Sequence, residues 1–256
     1  MTLSRMSHSR YELYAGCGER YRLERVERVP KTPSIFSAAG IAFHECADWC
    51  DTNDSDFVSE GLFADALARI VAEQEEKSGV KLAAWKSVDK RPGSNQLHFD
   101  TFRNELGPEW LKMYVAWRSE TQWRIADLPG GRGIEYKVEF RIGTVDEIAY
   151  VDRVFVTPYG LVVVDLKTWS KRRVTAQLPT YVVGLRKVGV NVASAGYYEA
   201  RKGELSELNE YRFWDENRLA ALHEQAAWMI QEGYFLPRPS DDCAVCDVAA
   251  HCVFKV

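Results

Sequence analysis

The chain has 256 residues, of which 46% are hydrophobic and 27% are charged, and this length allows one sizeable core near the upper size limit of a single domain. No stretch approaches the roughly 18 uninterrupted apolar residues of a membrane span, and the N-terminus lacks the apolar block of a secretory signal, so we expect a soluble, cytoplasmic protein with no membrane partner. The formal net charge of -4 gives no global attraction to nucleic acid. Any DNA-binding surface must therefore come from local basic clusters.

The first half of the chain has the apolar spacing of helices. Ser7 is a suitable N-cap for the first of them. The polar run 86–96 has no apolar period, which predicts a surface loop. The predicted helices in this half cover residues 7–26, 38–49, 61–76 and 108–120.

After the glycine-rich segment 130–133 the pattern changes to strands. Three apolar or alternating runs cover 134–142, 147–156 and 161–164, and the last runs into Asp165. A helix over 175–188, a strand over 191–200 and a helix over 215–232 follow. This order predicts an α/β protein with a central mixed β-sheet flanked by helices.

Three charged residues stand in this apolar part of the chain. Asp152 and Asp165 lie in or at the end of strand-like runs, and Lys167 leaves the strand on the same face as Asp165. Phosphodiester hydrolysis needs such a group, because two carboxylates can hold a hard divalent cation while an ammonium positions water or offsets developing charge. A structural ion pair at the end of a strand is the alternative.

These residues carry a resemblance to a known family. Val151-Asp152-Arg153-Val154 and Asp165-Leu166-Lys167-Thr168 resemble the core of the PD-(D/E)XK nuclease superfamily. The RecB-like branch of that superfamily also has an upstream helical histidine and a later Gln-x3-Tyr helix, and the sequence has both motifs in that order, as Gly40-x3-His44 and Gln177-x3-Tyr181.

The resemblance implies a restriction-endonuclease-like fold and a role for each matching residue. His44, Asp152, Asp165 and the Leu166 carbonyl would bind Mg²⁺ or Mn²⁺, and Lys167 would assist the chemistry. Gln177 and Tyr181 would shape the DNA path. Glu139 is a possible further acid of the site, and Asp146 is a rival for the role of Asp152. The basic cluster Lys171, Arg172 and Arg173 is a candidate DNA contact, with a solvated basic turn as the alternative.

The cysteines form a second group. Cys243-x2-Cys246-x5-Cys252 places three thiolates close enough in sequence for one metal centre. The segment from Ser7 through Cys17 to Tyr21 resembles the N-terminal cysteine helix of RecB-like iron-sulfur nucleases, which implies that Cys17 is the fourth ligand of a [4Fe-4S] cluster joining the two ends of the chain. Zinc, with His251 as a substitute ligand, remains the alternative. We interpret Cys46 and Cys50, which share a helix face, as small buried residues.

The sequence therefore predicts one nuclease domain over 1–256, in which 1–30 and 233–256 bind the cluster and 51–132 is a helical insertion. Its expected activity is metal-dependent exonuclease cleavage of DNA, single-stranded or at free ends, as in AddB-type nuclease domains and CRISPR-associated iron-sulfur exonucleases. Recombination, repair, phage replication and CRISPR adaptation are the pathways it would serve, with proteins of recombination or CRISPR adaptation as partners. A non-catalytic DNA-binding or assembly subunit and an endonuclease of the same fold are the alternatives.

Overall fold

A computed structural model describes residues 5–87, 89, 91–168, 176–211 and 214–256. The chain divides into two compact units, each built from separate parts of the sequence. The first unit comprises Met1–Tyr21, Gln122–Glu199 and Glu204–Leu236. The second comprises Arg22–Thr121, Ala200–Gly203 and Pro237–Val256. The predicted single domain with its insertion over 51–132 stays a prediction.

The predicted helices and strands occur in the predicted order, and the described part of the chain adds one short helix and four two-residue strands to them. The helices are α1 His8–Gly16, α2 Gly18–Tyr21, α3 Ile35–Thr52, α4 Leu62–Ser78, α5 Ser94–Thr101, α6 Gly107–Thr121, α7 Gln177–Lys187 and α8 Glu216–Gln231. The strands are β1 Arg124–Ile125, β2 Asp127–Leu128, β3 Gly131–Arg132, β4 Ile134–Ile142, β5 Val145–Thr157, β6 Gly160–Lys167, β7 Val192–Glu199 and β8 Glu204–Leu205.

The first unit is built on a six-stranded sheet in the order β1-β5-β6-β7-β8, with β4 also paired to β5. β6 and β7 are parallel and the other pairs are antiparallel. α7 connects the two parallel strands and packs on the sheet, because Leu178, Val182 and Leu185 repeat at helical spacing and enter the core beside valines of β5 and β6. The predicted central mixed sheet flanked by helices is confirmed.

The N-terminal segment of the first unit completes one edge of β5. Met6 is fully buried, its N–H donates to the Asp146 carbonyl at 2.8 Å, and its carbonyl accepts from the Ile148 N–H at 3.0 Å. Beside it, Glu147 of β5 and His223 of α8 form a fully buried hydrogen bond with 2.6 Å between Oε1 and Nδ1. Tyr11 stacks on the His223 ring. These contacts anchor α1 and α8 to the same part of the sheet.

The second unit is helical. α3 and α4 pack against α6, and the buried Asp51 carboxylate accepts a hydrogen bond from the Tyr114 hydroxyl at 2.6 Å and pairs with Arg118. Gly107 at the start of α6 allows a close approach, since a Cβ there would lie 1.9 Å from the Phe63 ring. The predicted burial of Cys46 and Cys50 on α3 is confirmed.

Three predicted elements differ from the structure. The helix predicted over 7–26 is interrupted at Cys17, which is extended, because the Gly18 N–H donates to the Leu236 carbonyl. The loop predicted over 86–96 ends early, since Gly93 adopts a left-handed conformation and α5 begins at Ser94. Asp165 lies inside β6 rather than at its end. No helix in the described part of the chain is long and apolar enough to cross a membrane.

Candidate active site

Two aspartates face each other across neighbouring strands of the first unit. Arg153 of β5 pairs with Val164 of β6, so the next position along these antiparallel strands puts Asp152 opposite Asp165. Side chains at opposed positions leave the sheet on the same face. Asp165 is fully buried and Asp152 is 8% exposed. Two neighbouring carboxylates that are shielded from water stay ionised only if a cation or hydrogen-bond donors compensate their charge.

The main chain between the two charged residues of β6 is fixed by Asp152. The Leu166 N–H donates to Asp152 Oδ2 at 2.8 Å, and this hydrogen bond is buried. The bond ties the Asp152 side chain to the strand that carries Asp165 and Lys167. The Leu166 carbonyl belongs to this same stretch of backbone.

Lys167 is the cation of the group. Its Nζ lies 2.6 Å from Asp165 Oδ2, and 5.7 Å from the centre of the Tyr197 ring on β7. Burial lowers the pKa of Lys167, but the charge of Asp165 and its hydrogen bond, aided by Asp152, more than offset this, so the pKa is raised above its usual value. Lys167 is therefore a charged ammonium at neutral pH.

Gln177 and Tyr181 lie one turn apart on α7, beside the carboxylates. Gln177 Nε2 donates to the Tyr181 hydroxyl at 3.0 Å. Burial, together with the negative charges of Asp165, Asp152 and Glu135, raises the pKa of Tyr181. Tyr181 thus stays a neutral phenol, and its position places the Gln-x3-Tyr motif at the acidic site.

Glu135 is an acid of this site that the sequence analysis missed. It lies on β4 opposite Asp152, between the pairs Ile134–Arg153 and Tyr136–Val151, and a carboxylate oxygen of each residue lies within 4.8 Å of the other. Its φ of +44° is in the left-handed region, where a residue with a Cβ is strained. Such strain often marks a functional position. The alternating pattern of β4 does not indicate a site residue at Glu135, because Lys137 and Glu139 on the same face of the strand are exposed.

The possible site residue Glu139 has other partners. Its carboxylate pairs with Lys137 and, at 2.7 Å, with Arg5, and the hydrogen bond from Lys137, aided by the charge of Arg5, lowers its pKa. Asp146, the rival of Asp152, lies near the start of β5, six residues before Asp152, and is 3.7 Å from Arg141. Glu135 is therefore the better placed third acid, and a role for Glu139 stays a prediction.

The remaining predicted site residues lie on other parts of the chain. His44 is on α3 in the second unit and is partly exposed. Lys171, Arg172 and Arg173 lie outside the described residues. Arg186 and Lys187, another basic pair, form contacts within the first unit. Arg186 donates to the carbonyls of Val192 and Glu210, and Lys187 pairs with Glu216.

The four cysteines of the predicted cluster are partly exposed and none of them forms a disulfide. Cys17 separates α1 from α2 in the first unit. In the second unit, Cys243 and Cys252 are associated with short 3-10 turns, Asp241–Val245 and Ala249–His251, and Cys246 follows the first turn. By contrast, burial raises the pKa of Cys46 to about 12, which keeps this thiol protonated.

A model of the PD-(D/E)XK nuclease superfamily matches residues 5–253 of the chain. The chain belongs to this superfamily. Its members are nucleases that use divalent metals such as Mg²⁺ or Mn²⁺, and the carboxylate oxygens of Asp152 and Glu135, which lie within 4.8 Å of each other, are ligands of the kind that these hard cations prefer. The prediction of the superfamily is confirmed.

Two curated relatives of this PD-(D/E)XK chain are phage proteins named only as gene 69 proteins. That of Mycobacterium phage D29 is 26% identical over 97% of both chains, and that of Mycobacterium phage L5 is 24% identical over 97% of this chain and 96% of its own. Among solved structures, protein VC1899 from Vibrio cholerae matches with 12% identity and a TM-score of 0.25, covering 88% of this chain and 57% of its own. A TM-score this low does not establish a shared fold.

We expect Glu135→Gln to weaken Mn²⁺ binding about tenfold, because the site loses one anionic oxygen donor near Asp152. Titration calorimetry on the DNA-free protein measures this, and excess metal should restore most of the nuclease activity. Glu139→Gln, on the same strand but paired with Arg5, is the matched control and should leave the affinity unchanged. Equal effects of the two substitutions, or an effect of Glu139→Gln alone, would contradict the assignment.

Proposed function

We propose that this protein is a divalent-metal-dependent deoxyribonuclease that degrades DNA from its ends, preferably single strands. The observation that carries the proposal is the placement of Asp152 opposite Asp165 with Lys167 on the same face. A metal-dependent nuclease needs this combination, whereas a structural ion pair at the end of a strand needs neither the second aspartate nor its burial.

In the proposed mechanism, Asp152, Asp165 and the Leu166 carbonyl would hold the metal, with Glu135 as a further carboxylate beside Asp152 and His44 as the ligand that the family resemblance adds. The bound cation would polarise the scissile phosphate and acidify the attacking water. Asp152 also keeps the Leu166 main chain in place through its hydrogen bond. Lys167, charged at neutral pH, orients the water or stabilises the charge that develops on phosphorus-bound oxygens. Gln177 and Tyr181 line the DNA path beside it.

The test of this function is cleavage by anaerobically purified protein with Mg²⁺ or Mn²⁺, using four substrates: linear and circular DNA, each single- and double-stranded. An exonuclease degrades linear DNA and spares closed circles. Cleavage of circles would favour the endonuclease of the same fold. Binding without cleavage, at protein concentrations where DNA is saturated, would favour the non-catalytic subunit. Asp165→Asn is the control for contaminating nucleases.

We also propose that Cys17, Cys243, Cys246 and Cys252 bind a [4Fe-4S] cluster. The proposal is supported by the exposure of these thiols. All four are partly exposed, while the other two cysteines are buried in α3. Partly exposed thiolates on short turns are suited to ligation. The alternative is a zinc site with His251 as a substitute ligand, and metal analysis distinguishes the two.

For the DNA contact we propose the basic cluster Lys171, Arg172 and Arg173, which a chain of net charge -4 needs in order to meet phosphates. Replacing all three with alanine should weaken binding of single-stranded DNA and make the slope of log K against log salt shallower by about 2, at roughly 0.7 for each phosphate that is no longer neutralised. Fluorescence anisotropy over a salt series measures both quantities. The charge-conserving triple Lys171→Arg, Arg172→Lys and Arg173→Lys should retain the slope. An unchanged slope in the alanine triple would place the DNA-binding surface elsewhere.

A further inference from the structure

The ring of Tyr197 lies beside the ammonium of Lys167. The distance from Lys167 Nζ to the centre of the ring is 5.7 Å, within the range over which a ring face attracts a cation. Tyr197 is in register with Asp165 across the parallel pair β6 and β7, so both side chains leave the sheet next to Lys167 on the same face. The ammonium therefore has an aromatic neighbour in addition to its ionic contact with Asp165.

The backbone that carries this ring is fixed on both sides. On one side, β7 pairs with β6. On the other side, the Tyr197 N–H donates to Ser206 Oγ at 2.9 Å, and the Tyr197 carbonyl accepts from the Ser206 N–H at 2.8 Å. The ring is partly buried against the core beneath α7. Tyr197 thus presents its ring from a rigid part of the sheet rather than from a loop.

Lys167 needs a neighbour that does not compete with metal binding. Its 2.6 Å contact is with Asp165 Oδ2, and Asp165 is a proposed metal ligand. An oxygen that donates charge to a divalent cation holds a second cation less strongly. The lysine stem is flexible, so a weaker contact with Asp165 lets the ammonium move. A ring face attracts the ammonium without occupying a ligand oxygen.

We propose that Tyr197 is a positioning residue, which holds the Lys167 ammonium at the reacting phosphate when Asp165 is engaged with metal. The proposal rests on the proposed nuclease function and adds to it a residue outside the acidic motif. It is the ring face of Tyr197, and not its hydroxyl, that acts. A phenylalanine at position 197 should therefore retain the positioning of Lys167, and a leucine should lose it.

Two substitutions at this position separate the ring from the volume that it fills. Tyr197→Leu should lower kcat for DNA hydrolysis about tenfold with little change in KM, because a misplaced ammonium matters more in the transition state than in the bound complex. Tyr197→Phe should keep kcat near that of the unsubstituted protein. In a Lys167→Ala background, Tyr197→Leu should cause no further loss, since the residue through which it acts is gone. A kcat loss shared equally by the Phe and Leu variants would overturn the proposal.

A spectroscopic measurement tests the contact without any cleavage. In metal-free protein with ¹³C-labelled lysine, the ε-CH₂ resonance of Lys167, assigned by its absence in Lys167→Ala, should be shifted by the ring current of Tyr197. The shift should persist in Tyr197→Phe and disappear in Tyr197→Leu. Absence of the shift in the unsubstituted protein would refute the contact, whether or not the protein cleaves DNA. A shift present in a protein without nuclease activity would refute the proposed function instead.

Discussion

Replacing Asp165 or Asp152 with asparagine should weaken metal binding and cleavage together, whereas replacing Lys167 with alanine should lower turnover strongly and leave metal and DNA binding intact. Asparagine has nearly the size of aspartate, and at position 152 its side-chain oxygen can still accept the hydrogen bond from the Leu166 N–H. The hard cation nevertheless loses one of few anionic ligands. We expect Mn²⁺ affinity to fall and turnover to drop about 1,000-fold in each aspartate variant. Titration calorimetry and a gel assay on labelled single-stranded DNA measure the two quantities.

Lys167→Ala should differ from both aspartate variants. Its turnover should fall about 100-fold to 1,000-fold, as when one preorganised donor to a transition state is removed, while affinity for Mn²⁺ and DNA stays near its original value. Lys137→Ala on β4, which removes a lysine paired with Glu139, is the control and should be fully active. If Lys167→Ala cleaves at the original rate in saturating metal, the proposed active site is wrong and the non-catalytic function gains support.

The second large effect concerns the cluster. Protein purified without oxygen should be brown and carry about four iron atoms per chain, and Cys17→Ser should lose most of that iron. The reason is that a cluster held by three remaining thiolates has an incomplete ligand set. Iron analysis and the visible absorption spectrum measure the loss. The same preparations heated in a thermal unfolding scan should show a lower midpoint for Cys17→Ser, because bound cluster stabilises the folded state.

Cys46→Ala is the matched control for this experiment. Its thiol is buried, and burial raises its pKa to about 12, so it is unsuited to metal ligation at neutral pH and its loss should leave the iron content unchanged. Stoichiometric zinc without visible absorbance would show that the cysteines form a zinc site. Full iron content in Cys17→Ser would remove Cys17 from the ligand set.

The strands of the candidate site could be predicted because the sequence pattern that indicates them is local. The run Val162–Val164 is apolar and bounded by a turn, and Asp165 and Lys167 follow it at the two-residue period of a strand. Asp152 interrupts a second apolar run in the same way. A charge inside a buried strand stands out in the sequence itself, since burial requires a partner or a function.

What escaped prediction depends on contacts between distant parts of the chain. Glu135 belongs to the site only because β4 and β5 pair in one register, and its exposed neighbours on β4 hide this in the sequence. The break at Cys17 depends on a main-chain bond from Gly18 to Leu236. The two-residue strands β1 and β8 exist only through their pairing partners. Local propensity carries no information about any of these.

The pairing of Met6 with β5 has a consequence for the order of folding. β4, β5 and β6 form hairpins from adjacent residues, so they can assemble early, whereas Met6 must find Asp146 and Ile148 across more than half of the chain. During synthesis the segment around Met6 emerges before β5 and has no strand to pair with until the sheet exists. We therefore expect this segment to pair with β5 late in folding, together with α8, whose His223 contacts Glu147 at the same position.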